Sequence, residues 1–225
     1  MKKHALAITE NVKRTKKLVS DISKRPVTEM VGLALVWGPP GLGKTRTLQS
    51  FAFDNGYIQL KLDSSTTQRT FILRLREAIS YKLNLNLAHP RGSSDAIFQE
   101  CISYLNEAKI TIVIDEIDYA FTSKKLLGTI RDIVDDAIFT DIILVGMQDA
   151  KEKLMLANAH YFDRCNFFYN FKPLNLEDTT LVCNELCDFA VPETLCKRIH
   201  KLTNGNPRKI VKEVQALEQI EAAKK

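Results

Sequence analysis

A parallel β-sheet covered on both faces by helices, followed by a small helical appendage, is the α/β fold that the sequence predicts, on three observations. Short apolar runs rich in β-branched residues alternate with longer segments of helical periodicity. Five such runs occur, each short enough for a buried strand. After Pro173 the strand signals cease and only helical segments follow. The chain has 225 residues, 45% of them apolar, enough for one good-sized domain plus an appendage.

The first segment, residues 1–25, holds Lys2, Lys3, Lys13, Arg14, Lys16, Lys17, Lys24 and Arg25 against Glu10 and Asp21. The whole chain carries only +5, so the basicity is local. Ala5, Ile8, Val12, Val19 and Ile22 recur at helical spacing, which predicts an amphipathic helix with one basic face. That face is either a solvated surface or a phosphate-binding one. Strands are predicted at 32–37, 57–62, 110–115, 141–146 and 167–171. Helices are predicted between them at 44–54, 68–83, 94–108, 124–138 and 149–158, several opened by a Ser, Thr or Asp cap. The later helices, at 176–189, 192–203 and 207–223, are separated by the breakers "VP" and "NGNP".

Some classes are set aside. No run of eighteen apolar residues exists, and charge interrupts the N-terminal segment too often for a signal-peptide core, so a cytoplasmic protein without a membrane span is expected. The five cysteines, Cys101, Cys165, Cys183, Cys187 and Cys196, show no paired CxxC spacing, which argues against a disulfide framework and a zinc ribbon. Cys183 and Cys187 could share a helix face as half a metal site, but no second pair completes it; core packing is the expectation.

The chemistry concentrates in two motifs. "GPPGLGKT" between the first strand and the first core helix fits G-x-x-x-x-G-K-[ST], with Gly38, Gly43, Lys44 and Thr45 in the required places. Gly41 and Gly43 permit the backbone to turn successive N–H groups toward a phosphate, and the helix start adds its positive dipole end. Pro39, Pro40 and Leu42 complete the loop, and Arg46 follows it. Lys44 is expected at the β and γ phosphates of ATP, and Thr45 as a hydroxyl ligand of Mg²⁺. The second motif is "ITIVIDEID", which ends the third strand in two carboxylates. Asp115 is expected on the metal side and Glu116 as the residue that orients and polarises the attacking water.

Together with "DIILVG" and the C-terminal "GNPRKI", these motifs make the chain resemble the AAA+ ATPases, which adds the P-loop NTPase name to the predicted fold. Its middle stretch, "VIDEIDYAFTSKKLLGTIRDIVDDAIFTDIILVGMQDAKEKL" and then "FDRCNFFYNFKPL", is most similar to the transposition target-selection ATPases of the phage Mu B type. The resemblance runs from about Leu18 to Val214. It implies three parts: a basic N-terminal helix over 1–25, a nucleotide-binding core over 26–173 and a helical lid over 174–225. It also implies two further cations. Arg164 in "FDRC" stands where the family has the arginine finger that reaches a neighbouring subunit's phosphate, and Arg208 in "GNPR" matches the lid arginine. One position departs from the pattern. After "LVG" the family has a small polar residue, whereas this chain has Met147 and then Gln148. Either Gln148 takes over contact with the nucleotide or hydrolysis is slow.

The resemblance implies ATP-dependent self-association into a ring or helical filament on double-stranded DNA without sequence preference, and delivery of that DNA to a transposase. The expected DNA contacts follow the second strand: Thr66, Thr67, Gln68 and Arg69 in "DSSTTQRT", and Arg91 in "NLAHPRGSSD". They carry hydroxyl, amide and guanidinium groups that suit phosphates and do not read bases, though a helix cap and a surface loop would use the same residues. Two alternatives stay open: a replication initiator or helicase loader, suggested by the wording around Arg208, and a nucleotide-gated protein-binding scaffold that does not touch DNA.

Overall fold

The computed structural model describes residues 6–157 and 163–223; Lys2, Lys3, Ala5 and Asn158 of the sequence reading lie outside them. Five parallel strands form one sheet: β1 Leu33–Trp37, β2 Ile58–Lys61, β3 Thr111–Asp115, β4 Asp141–Val145 and β5 Phe167–Asn170, in the order β2-β3-β4-β1-β5. Every pairing is parallel, so each connection must cross over, and the helices between strands do this. They are α2 Lys44–Asn55, α3 Gln68–Leu83, α4 Ser94–Glu107, α5 Lys124–Asp136 and α6 Ala150–Ala157, preceded in the chain by α1 Glu10–Ser23. The segment expected as a lid holds α7 Leu176–Leu186, α8 Glu193–Thr203 and α9 Pro207–Ala222.

Alternation along the strands divides the core. Leu33 and Leu35 of β1, with Ile112 and Ile114 of β3, face α3, α4 and α5 on one side. Ala34 and Val36 of β1, with Val113, Ile143 and Val145, face α1 and α2 on the other. Local chemistry fixes the helix starts. The Thr67 side chain accepts from the Thr70 N–H and Thr70 reciprocates, a capping box for α3, while Ser93, Ser123, Asn175 and Asn206 cap α4, α5, α7 and α9. Asn204 ends α8 in the left-handed conformation.

Helix α1 differs from the sequence reading. It begins at Glu10, so Ile8 lies before it and is 54% exposed. Its buried stripe is Asn11, Val12, Thr15, Leu18, Val19 and Ile22, which repeats every three or four residues and seats the helix on the sheet. Arg25, counted with the basic face by sequence, is 6% exposed. Its guanidinium pairs with Asp141 at the start of β4 and donates to the Met30 and Ile138 carbonyls at 2.9 Å. The outward basic face therefore comprises Lys13, Arg14, Lys16, Lys17 and Lys24 among the described residues.

Helix α1 also reaches the lid. Asn11 Nδ2 donates to the Lys172 carbonyl at 2.8 Å, and its Oδ1 accepts from the Tyr169 hydroxyl at 2.8 Å. The Glu10 N–H lies 3.1 Å from each carboxylate oxygen of Asp178 in α7, and Ala7 packs into the lid core. The three lid cysteines, Cys183, Cys187 and Cys196, are buried in that core and free; burial pushes the Cys183 thiol up to about 12. Among the described residues no cluster of His, Cys, Asp or Glu is set to hold a metal ion, and no helix is long and apolar enough to cross a membrane.

Candidate nucleotide site

The carboxyl ends of β1, β3 and β4 open into one cavity of about 360 Å³, bordered on one side by Pro207, Arg208 and Val211 of α9, a volume within the range of small-molecule sites. The first wall comes from the loop between Gly38 and Gly43, of which Pro40, Gly41 and Gly43 line the cavity and Gly38 and Pro39 do not. Gly38, Gly41 and Gly43 have φ of 145°, 82° and 90°, conformations that a side chain would strain. These turns leave α2 to start at Lys44, and the first N–H groups of a helix have no partner within it. They form the anion-accepting end of the cavity. Lys44, 8% exposed, donates to the Gly38 carbonyl at 2.6 Å and the Pro39 carbonyl at 2.9 Å. Burial draws its pKa below the usual lysine range. Asp115, Glu116 and Asp118 oppose that shift, and Arg208 adds to it. Pro40, Thr45 and Arg46 line the cavity, while Leu42 turns away and anchors the loop in the core.

The second wall carries the carboxylates. Asp115 ends β3, with Ile112 and Ile114 buried beneath it, and its Oδ1 accepts from the Glu116 N–H at 2.9 Å. Glu116 itself has φ 58°, ψ 43°. The other described non-glycine residues at positive φ, Asn84 and Asn204, are helix C-caps of a type that tolerates it; a glutamate there is strained and faces the cavity. Thr45 and Asp115 both line this cavity and a smaller adjoining one of about 190 Å³. A hydroxyl and a carboxylate are oxygen donors suited to a hard cation such as Mg²⁺.

The lid supplies the third wall. The Arg208 N–H donates to the Gly41 carbonyl at 3.2 Å, and Asn206 Nδ2 donates to the Pro40 carbonyl at 3.4 Å. A Cβ on Gly41 would stand 3.0 Å from Asn206 Oδ1, so the absence of a side chain is what lets lid and loop meet. Asn206 and Pro207 escaped the sequence reading, although Asn before Pro at a helix start was the available signal. Also unforeseen is Gln49, one helical turn beyond Thr45 and on the cavity wall.

Several expected residues stand elsewhere. Gln148 does not line the cavity; it is exposed, and Met147 lines it instead, because the turn after β4 directs Gln148 outward. Arg164 lies at the opposite end of the sheet. It precedes Phe167, which pairs with Ala34, whereas the phosphate loop follows Trp37. At about 3.3 Å per strand residue the two are separated by roughly 10 Å or more. Its Nη1 donates to Asp135 Oδ1 at 2.6 Å. Of the expected DNA contacts, Thr67 caps α3, Thr66 donates to Asp63 at 3.0 Å, and Gln68 donates to Thr129 of α5 at 2.9 Å. Each of these polar groups is engaged within the protein. Arg69 is exposed, with Nη1 3.2 Å from Ser94 Oγ, and Arg91 is exposed.

A family model described as an AAA domain matches residues 29–154, from just before β1 into α6. No curated protein matches the chain by sequence. Among solved structures, a Walker-type ATPase of Pyrococcus abyssi is similar over 94% of this chain and 67% of its own, with 18% identity and a TM-score of 0.67. The ORC2 protein of Aeropyrum pernix covers the whole chain with 67% of its own length, at 14% identity and TM-score 0.69. Domain III of the replication initiation protein DnaA of Thermotoga maritima covers 98% with 88% of its own, at 15% identity and TM-score 0.61. At these identities the likeness is one of fold. The matched model spans more than half of the chain and includes the phosphate loop, Asp115 and Glu116, so the chain belongs to the AAA domain family of P-loop ATPases.

Proposed function

We propose that this chain is an ATP-switched, DNA-binding AAA ATPase that works by self-association, each cavity completed by Arg164 of the next subunit. One observation carries this reading. Arg164 is a half-exposed guanidinium on a fixed carboxylate partner, at the end of the sheet away from its own Lys44, and so cannot serve its own phosphate. In the cavity, the loop N–H groups and Lys44 bind the phosphates, Thr45 and Asp115 would hold Mg²⁺, and Glu116 accepts the proton of the attacking water. The cation, when bound, neutralises charge on the phosphates. Arg208 couples the lid to the phosphate loop.

Duplex DNA is the assembly's substrate on this reading, met without sequence preference through exposed cations such as Arg69, Arg91 and the outward face of α1. The sequence of the middle stretch supports a role in selecting or delivering target DNA to a transposase. A second role, initiator or helicase loader in replication, is favoured by the fold likeness to ORC2, to Cdc6p of Pyrobaculum aerophilum and to DnaA. Dependence on a transposase or on an origin separates them.

The shared cavity is tested by mixing. Arg164→Ala retains a complete cradle and Lys44→Ala retains its Arg164, so two inactive variants combined should recover part of the ATPase activity. Wild-type turnover per subunit should rise with protein concentration, and loss of Arg164 should cost roughly a thousandfold. A mixture that stays inactive while both variants assemble overturns the shared site.

A further inference from the structure

The turn after β4 poses a chemical problem: Met147 faces the nucleotide cavity, and a thioether neither donates a hydrogen bond nor fixes a water well. We propose that Asp118 is the positioning residue that solves it, by holding the main chain of this turn against the end of β3; the inference rests on the cavity's being a site of ATP hydrolysis.

The geometry is direct. After Glu116 the chain makes a single 3₁₀ turn, Ile117–Tyr119, pinned by Ile117, which is fully buried. From this turn Asp118 Oδ2 accepts the Met147 N–H at 2.8 Å. Its Oδ1 is buried without a hydrogen-bond partner, and Lys153 Nζ stands 3.8 Å away, beyond hydrogen-bond distance. The two turns also touch. A Cβ on Gly146 would lie 2.3 Å from the Ala150 Cβ, 3.0 Å from Ile117 Cγ2 and 3.3 Å from Asp118 Oδ2. Burying a carboxylate oxygen without a hydrogen bond is costly even with the Lys153 ammonium 3.8 Å away to offset its charge, so the Met147 N–H is, among the described residues, the one hydrogen bond between Asp118 and the turn after β4. Asp118 is two residues from Glu116 and bonded to Met147, so it fixes the residue that orients water relative to the opposite wall of the cavity. Its negative charge also acts on Lys44. Hydrolysis should depend on this link, whereas nucleotide binding, which the phosphate loop performs, should not.

Steady-state phosphate release and direct titration with Mg²⁺-ATP test this on wild type, Asp118→Ala and Asp118→Asn. In Asp118→Ala the kcat should fall by about ten- to a hundredfold, the size of effect a small misplacement has, while nucleotide affinity stays within about threefold, the split expected of an interaction that counts only in the transition state. Asp118→Asn should recover most of the rate, since its amide oxygen accepts the same N–H. The assignment is overturned if Asp118→Ala turns over like wild type, if it loses affinity in step with rate, or if Asp118→Asn is as slow as the alanine variant. Wild type that binds ATP and never hydrolyses it would overturn the hydrolytic reading itself, whatever the variants do.

Discussion

Lys44, Asp115, Glu116 and Arg208, at the carboxyl end of the strands, line one open cavity, whereas Arg25 and Asp141, at the amino end, are buried against each other. Both groups are charged, and both resist explanation by composition. The difference is what each charge faces. At the amino end the Arg25 guanidinium meets a carboxylate and four main-chain carbonyls, which uses up its donors on the protein itself. At the carboxyl end, helix N–H groups, a buried lysine and a strained glutamate converge on space. Charge spent internally builds the fold; charge kept facing a cavity is available for a ligand.

The largest effect should come from the cavity. Glu116→Gln removes the group that takes the proton while leaving the cradle intact, so phosphate release should slow by roughly a hundred- to a thousandfold, by analogy with loss of one transition-state group. ATP should still bind and the melting temperature should hold. Unchanged release would remove Glu116 from the mechanism. The amino end should answer with the opposite pattern. Arg25→Met leaves Asp141 buried and unpaired, at a cost of about 3–5 kcal/mol in denaturant unfolding, and the purified folded variant should bind ATP normally. A loss of affinity without loss of stability would erase the contrast between the two ends.

A smaller loss, about 1–3 kcal/mol, is expected for Asn11→Ala, which strands the Tyr169 hydroxyl and the main chain of Lys172 without their partner. Stability unchanged in chemical denaturation would show that Asn11 does not tie α1 to the end of β5. The smallest effect belongs to the loop after β2. Hydrogen bonds from Ser65 and Thr66 hold the exposed Asp63 at about 2, below its ordinary value of 3.8. A depressed carboxylate pKa contributes stability above the unfolded value that disappears as pH falls through the folded one. The loop's order should therefore persist at neutral pH and fade between about pH 4 and pH 2, followed by the Ser65 amide resonance. A transition centred near 4 would contradict those hydrogen bonds.

What the sequence revealed follows the same division. The strands, the phosphate loop and Asp115–Glu116 were legible because each is a contiguous pattern whose chemistry depends on near neighbours. The bounds of α3 agree with the expected 68–83, since Thr67 caps it locally. The contacts at the amino end and between α1 and α7 were not legible. Arg25 meets Asp141 across 116 positions, and Glu10 meets Asp178 across 168. Arg25 looked like one more cation of a basic face because nothing nearby in the chain betrays its partner. Asp118 was in view within "VIDEID", but only the fold brings it to Met147. The polar groups of Thr66, Thr67 and Gln68 fit a phosphate contact and a helix start equally well by type; in the fold Thr66 and Thr67 bond near neighbours and Gln68 bonds Thr129, 61 positions away.

Lys44 tests the contrast most directly, because it is the buried cation at the ligand-facing end. Titration of wild type and Lys44→Ala with Mg²⁺-ATP, together with thermal unfolding of both, measures function and fold in one experiment. Affinity should fall by about a hundredfold or more, as when a charged phosphate contact is lost. The melting temperature should not fall, since burial disfavours the charged amine that the substitution removes. Affinity equal to wild type, or a loss of stability as large as that expected for Arg25→Met, would contradict the assignment of this cavity to nucleotide.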